Sequence, residues 1–212
     1  MKAKSTAEET ARLRAIWQKQ AKSYDKQMNF MDRRLFPGGR EWLAERAKGK
    51  VLEVAVGTGR NLPYYPRDID LTGIDLSPET LEIARGRVAE LGMDIELQEA
   101  DGQALPFEDA TFDTVVAGLC MCNFPDPLKA VGEIKRVLKP GGSLVALDHV
   151  RSPVLPVRVV QKALNPLMVR IEGDHITREP LEYYAHHGFE IIELERHKWG
   201  IVERVHARKP QA

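Results

Sequence analysis

Gly57, Gly59, Asp75 and Asp101 pose the chemical question in this sequence. Gly57-Thr58-Gly59 closes the apolar run 50–56. Two glycines there let the chain turn sharply and bring backbone amides to a ligand with no Cβ in the way. Asp75 closes a second apolar run, 69–75, and Asp101 follows a third, 94–99. A carboxylate after the second run can accept hydrogen bonds from both hydroxyls of a ribose. One after the third can accept from the exocyclic amine of an adenine. Each has an ordinary alternative: a strand-to-helix turn, a solvated loop acid, a helix cap. On three successive strand ends, they describe a nucleoside pocket. A dinucleotide fingerprint needs a third glycine, and position 62 is Leu. A nicotinamide-dependent dehydrogenase is therefore the weaker reading.

A second set of polar residues follows the fourth and fifth runs. Cys120 and Cys122 come after 112–118, and Asp148-His149 ends 143–147. Histidine exchanges a proton near neutral pH, so His149 either accepts a proton from a substrate or forms a structural pair with Asp148. Asp174-His175 and Thr177-Arg178 follow a proline-punctuated apolar stretch, 154–171, placed to cap a pocket. His175 is a third candidate for proton transfer. The cysteines are read as small core residues. No second Cys/His pair has zinc spacing, so no metal is expected.

These residues need a parallel sheet to bring them together. Residues 5–22 have helical periodicity around Leu13, Ile16 and Trp17, and 23–50 predict one or two short helices. Ser77-Pro78 opens a helix that Gly92 ends. Another helix at 126–138 stops at Pro140-Gly141-Gly142, ahead of a strand at 143–147. Alternating strands and helices specify an α/β parallel sheet covered on both faces. After helical character near 178–187, the runs 189–195 and 201–207 are joined too closely for a parallel crossover and predict an antiparallel hairpin.

Bulk properties fit one domain of 212 residues, with 1–49 as a helical lid, 50–150 as the ligand-binding core and 151–212 as cap and hairpin. Lys plus Arg equals Asp plus Glu, 31 each, which argues against nucleic acid as a partner. The charged start and the lack of a long apolar run point to a cytoplasmic protein without integral membrane association, a monomer or homodimer.

The segments VLEVAVGTGRN, LTGIDLSPETLEIA, ADGQALPF, FDTVVAG and RVLKPGGSLVALDHV resemble the class I S-adenosylmethionine (AdoMet) methyltransferases. The resemblance implies a Rossmann-like seven-stranded sheet, mostly parallel with a C-terminal antiparallel hairpin and helices on both faces. It implies AdoMet as cofactor and S-adenosylhomocysteine as product. The implied cofactor residues are Glu53, Ala55, Gly57, Gly59, Asn61, Asp75, Leu76, Asp101, Gly102, Gln103 and Leu119. Tyr24, in a Tyr-Asp pair found before the core of many relatives, is implied to close over the methionine end or else to pack the lid. Ala55 departs from the family pattern, which has glycine there.

Within that family, two subfamilies are similar. The quinone C-methyltransferases share the Tyr-Asp pair and Gly200-Ile201-Val202. The alkyl-thiol methyltransferases share Leu119-Cys120, Asp148-His149-Val150, Gln161, Asn165-Pro166 and Thr177-Arg178-Glu179. Their N-terminal hydrophobic anchor has no counterpart here. The resemblance thus implies a small, rather apolar acceptor, a thiol first, with quinol C- or O-methylation, phospholipid-amine N-methylation or non-catalytic AdoMet binding as alternatives.

Overall fold

The computed structural model describes residues 6–211; Ser5, where the first helix was expected to begin, lies outside them. The chain opens with helices α1 (Thr6–Arg34) and α2 (Gly39–Arg46). Strands β1 (Lys50–Val54) and β2 (Asp70–Asp75), helix α3 (Pro78–Leu91) and strands β3 (Glu96–Glu99) and β4 (Phe112–Gly118) follow. Then come α4 (Pro127–Val137), β5 (Leu138–His149), α5 (Leu155–Glu172), α6 (Pro180–His186), β6 (Glu190–His197) and β7 (Val202–Arg208). The seven strands form one sheet in the order β3-β2-β1-β4-β5-β7-β6. The first five run parallel, and β7 is antiparallel to both β5 and β6. Strand order reverses between β1 and β4, and in such sheets the cleft beyond the carboxyl ends at that reversal takes the ligand.

Successive strand side chains point to opposite faces. Leu52, Val54, Val115 and Ala117 join one buried cluster with Ile134 and Tyr184 from α4 and α6. Val51, Val116, Val145 and Leu147 join the other with Trp42, Leu43 and Leu81 from α2 and α3. This is why the strands read as continuous apolar runs. Helix α3 begins as the sequence requires: the Ser77 hydroxyl accepts the Thr80 amide, Pro78 takes the first turn, and Gly92 ends the helix at φ 62°.

Two expectations need correction. Helix α1 continues through 23–34 instead of stopping near 22. Its polar second half contains no Gly or Pro, and ion pairs described below hold it to the core. Pro140-Gly141-Gly142 does not separate α4 from β5. The two elements abut, and these residues form an irregularity within β5, between the pairs Phe112–Leu138 and Thr114–Ser143. The apolar stretch 154–171 forms nearly all of α5, a helix of 18 residues with one proline in its first turn and Pro166 inside it. Among the described residues, no helix is long and apolar enough to cross a membrane.

Candidate active site

A cleft of about 800 Å³ opens beyond the carboxyl ends of β1, β2 and β4. Its floor includes Ala55, Gly57, Asp75, Leu76, Asp101, Gly102, Gln103 and Leu119, and Leu13, Trp17 and Tyr24 of α1 roof it.

The floor is held from below. Asp75 accepts the Gly57 amide (2.8 Å), the Ser77 amide (2.9 Å) and the Thr80 hydroxyl (2.9 Å). Burial raises its pKa, and these donors offset part of that rise. A carboxylate has about four lone-pair sites, so Asp75 keeps little free capacity, and a ribose must share these oxygens with the protein. Asp101 accepts both the backbone amide and the side-chain amide of Gln103. The Gln103 amide group also reaches Thr10 of α1 and accepts the Asp126 amide at the start of α4. One buried glutamine therefore ties the acid after β3 to the roof.

Two glycines that look alike in sequence have different jobs. A Cβ on Gly57 (φ 57°) would meet nothing closer than 4.0 Å, so its side stays open to the cleft. A Cβ on Gly59 would lie 2.7 Å from Leu62, and Gly59 does not line the cleft. Its requirement is packing. Ala55 adopts φ 56° on the cleft wall, as does Leu119. This left-handed conformation costs an alanine roughly 1–2 kcal/mol and would suit a glycine better.

Glu53 and Asn61 also stand behind the wall. Glu53 is buried, and burial pushes its pKa up to about 7. It accepts from Asn61 (2.8 Å); Asn61 accepts from Arg40 (2.7 Å); and Arg40 pairs with Asp32 of α1 (2.8 Å). Closer to the glycine turn, Asp25 of α1 accepts the Thr58 hydroxyl (2.6 Å) and pairs with Arg87 (2.5 Å) and Arg60. Burial opposes ionisation of Asp25, but Thr58 and Arg87 outweigh it and lower its pKa. This clamp was missed in the sequence. The Tyr-Asp pair pointed to it, yet only Tyr24 was given a role. Tyr24 does line the cleft, edge-on to Trp17 at 5.6 Å, and burial pushes its pKa up to about 12.

At the β4–β5 end the sequence expectation changes. His149 pairs with Asp174, Nε2 to Oδ2 at 3.1 Å, and not with Asp148. Burial pushes the His149 pKa down, but Asp174 overcomes it and the net shift is upward; the Asp174 pKa is lowered in return. A Cys122 sulfur lies close by: ligand atoms of Cys122, His149 and Asp174 are all within 4.8 Å of one another. Asn123 donates to that sulfur (3.1 Å), and Cys120 lines the cleft itself. Asp148 is buried away from the cleft, and neither carboxylate oxygen has a well-formed hydrogen bond. Burial pushes its pKa up to about 8. It is a carboxyl kept in the core, on the opposite face of β5 from His149. His175 donates its backbone amide to Cys122 and sits half-buried beside Arg178, with its pKa lowered by burial. Arg178 donates to the Met121 carbonyl (2.6 Å) and so fastens the segment after α5 onto the turn after β4.

Comparison with known proteins agrees with this geometry. Residues 52–146 match the methyltransferase domain family. The seven-stranded sheet around them is the Rossmann-like class I methyltransferase fold. It is 44% identical over 118 residues to a phosphatidylethanolamine N-methyltransferase of Cereibacter sphaeroides, covering 55% of this chain and 58% of that protein. It is 34% identical over 153 residues to a demethylmenaquinone methyltransferase of Staphylococcus aureus, covering 67% and 61%. The chain thus matches less than two thirds of either relative's length. Among solved structures, a methyltransferase of Thermotoga maritima superposes with a TM-score of 0.73 at 20% identity, over 93% of this chain and 99% of that one. That likeness concerns the fold.

Proposed function

We propose that this domain transfers a methyl group from AdoMet to a small apolar acceptor whose attacking atom carries a proton, a thiol before others. The observation that carries the reading is a cleft with two functions at its two ends. One end presents Asp75, Asp101 and the open side of Gly57; the other ends at Cys120, Asn123 and Phe124, and the His149–Asp174 pair stands behind that wall, reached through the Cys122 sulfur that Asn123 bonds.

The residues fit the cofactor. Asp75 would hold the ribose, and Asp101 with Gly102 and Gln103 the adenine. Ala55, Gly57 and Leu119 would meet the amino-acid portion through backbone groups, under Tyr24. When bound, AdoMet supplies an electrophilic methyl on a sulfonium. The protein holds the acceptor in line and keeps water out. Trp17 and Tyr24 close the roof, and the apolar segment 119–125 forms the acceptor wall. His149 takes the proton that a thiol or phenol must lose, and Asp174 stabilises the resulting imidazolium. Asp174 raises the basicity of His149 while fixing its ring.

The test is turnover with labelled AdoMet across thiols, quinols and phospholipid amines. Label in thiols supports the reading. Label in quinols or amines only would replace the acceptor with the one named for the relatives above. AdoMet binding without turnover on any acceptor would reduce the domain to a binding module.

A further inference from the structure

Helix α5 turns its larger apolar side outward. Its half-buried side carries Val157, Gln161, Asn165 and Met168, and Gln161 bonds the Val150 and Ile176 carbonyls and the Ser152 amide. None of its residues is fully buried. Its outer side exposes Leu155 (62%), Val159, Val160, Leu164, Leu167 and Ile171. Exposed contiguous apolar surface of this kind marks an interaction site. Trp199, 71% exposed, stands at the same end as the helix start, because its carbonyl accepts the Ser152 hydroxyl.

We propose that α5, with Trp199, docks this domain on an anionic lipid bilayer, lying in the interface with its apolar side in the acyl boundary. Charge selects this occupant. Arg158, Lys162 and Arg170 lie on the same helix, and none of them makes an ion pair among the described residues. From 150 to 171 the sequence contains no acid, and the one acid of α5, Glu172, closes the helix half-buried. A second copy docked face to face would oppose these cations to their own duplicates. A bilayer with anionic headgroups accepts both the apolar side and the cations. The placement is also useful. Helix α5 leads directly into Asp174, and its last turn accepts hydrogen bonds from Arg12 of the roof helix. Docking would therefore bring the acceptor end of the cleft to the membrane surface.

The test is flotation of the whole chain, without cofactor or acceptor, on vesicles of equimolar phosphatidylcholine and phosphatidylglycerol and on phosphatidylcholine alone. Its outcome is thus independent of the methyl-transfer reading. Binding is expected on the mixed vesicles at low salt, and it should weaken as salt rises. The exposed variant Leu164→Asn/Leu167→Asn should lose at least tenfold in partitioning, with AdoMet binding and melting temperature unchanged. Arg158→Gln, Lys162→Gln and Arg170→Gln should each lower binding to mixed vesicles about fivefold. Failure of the wild type to float with mixed vesicles overturns the proposal. So does binding that neither set of variants alters. A solution dimer dissolved by Leu164→Asn/Leu167→Asn would assign the face to a second copy and also overturn it.

Discussion

The two ends of the cleft are assembled by different means. On the floor of the β1–β3 end, the acids that meet the ligand space sit within a few residues of a strand terminus, and their partners are mostly local. Asp75 holds Gly57, Ser77 and Thr80; Asp101 holds Gln103. At the β4–β5 end, Cys122, His149 and Asp174 come from three separate segments and meet only when α5 and the loop after it fold back. The first end is a local motif, built within single strand-to-helix turns. The second is a tertiary arrangement of segments far apart in the chain.

Substitutions can break or sharpen the contrast, and the largest effect is expected at the local end. Asp75→Ala removes the ribose acceptor and the anchor of the glycine turn. It should weaken AdoMet binding by roughly 100-fold or more, because charge-assisted hydrogen bonds carry about 1.5–3 kcal/mol each. Calorimetry reads this directly, and unchanged affinity would remove Asp75 from the site. His149→Ala should leave that affinity alone while lowering kcat about 100-fold. The acidic limb of the rate profile should lie above the ordinary histidine range, since the pKa of His149 is raised and only its neutral form accepts a proton. In Asp174→Asn, burial is no longer opposed, and the limb should move to lower pH. A limb that stays put in Asp174→Asn would detach the pair from the chemistry.

Asp25→Ala tests whether the roof belongs to the cofactor end. Loss of the bonds to Thr58 and Arg87 should loosen α1, with faster amide exchange in its second half and AdoMet binding weaker by about tenfold. Asp148→Asn separates core from chemistry. Unfolded Asp148 ionises near 3.8 and folded Asp148 near 8. The folded state therefore holds the extra proton between those values, and stability falls as pH rises through that window. The variant should flatten that fall in melting experiments from pH 4 to 8, with catalysis preserved. The smallest effect is expected from Ala55→Gly. Relief of a left-handed alanine should stabilise the domain by about 1 kcal/mol, measured by urea unfolding, with no loss of cofactor affinity.

The sequence by itself determined the parallel core, the hairpin, the Ser77 cap and the identity of the floor acids. These follow from apolar periodicity and turn chemistry, which act over a few residues and are legible in one chain. Only the tertiary structure decided which glycine faces the ligand, because Leu62 and Ala84 fill the space beside Gly59 while the side of Gly57 stays open. It alone paired His149 with Asp174 instead of the adjacent Asp148, since neighbours on a strand point to opposite faces. The length of α1 was decided the same way. Its polar half carries no strong helical signal and is held by Arg40, Arg60 and Arg87, contacts that exist only after the sheet has formed.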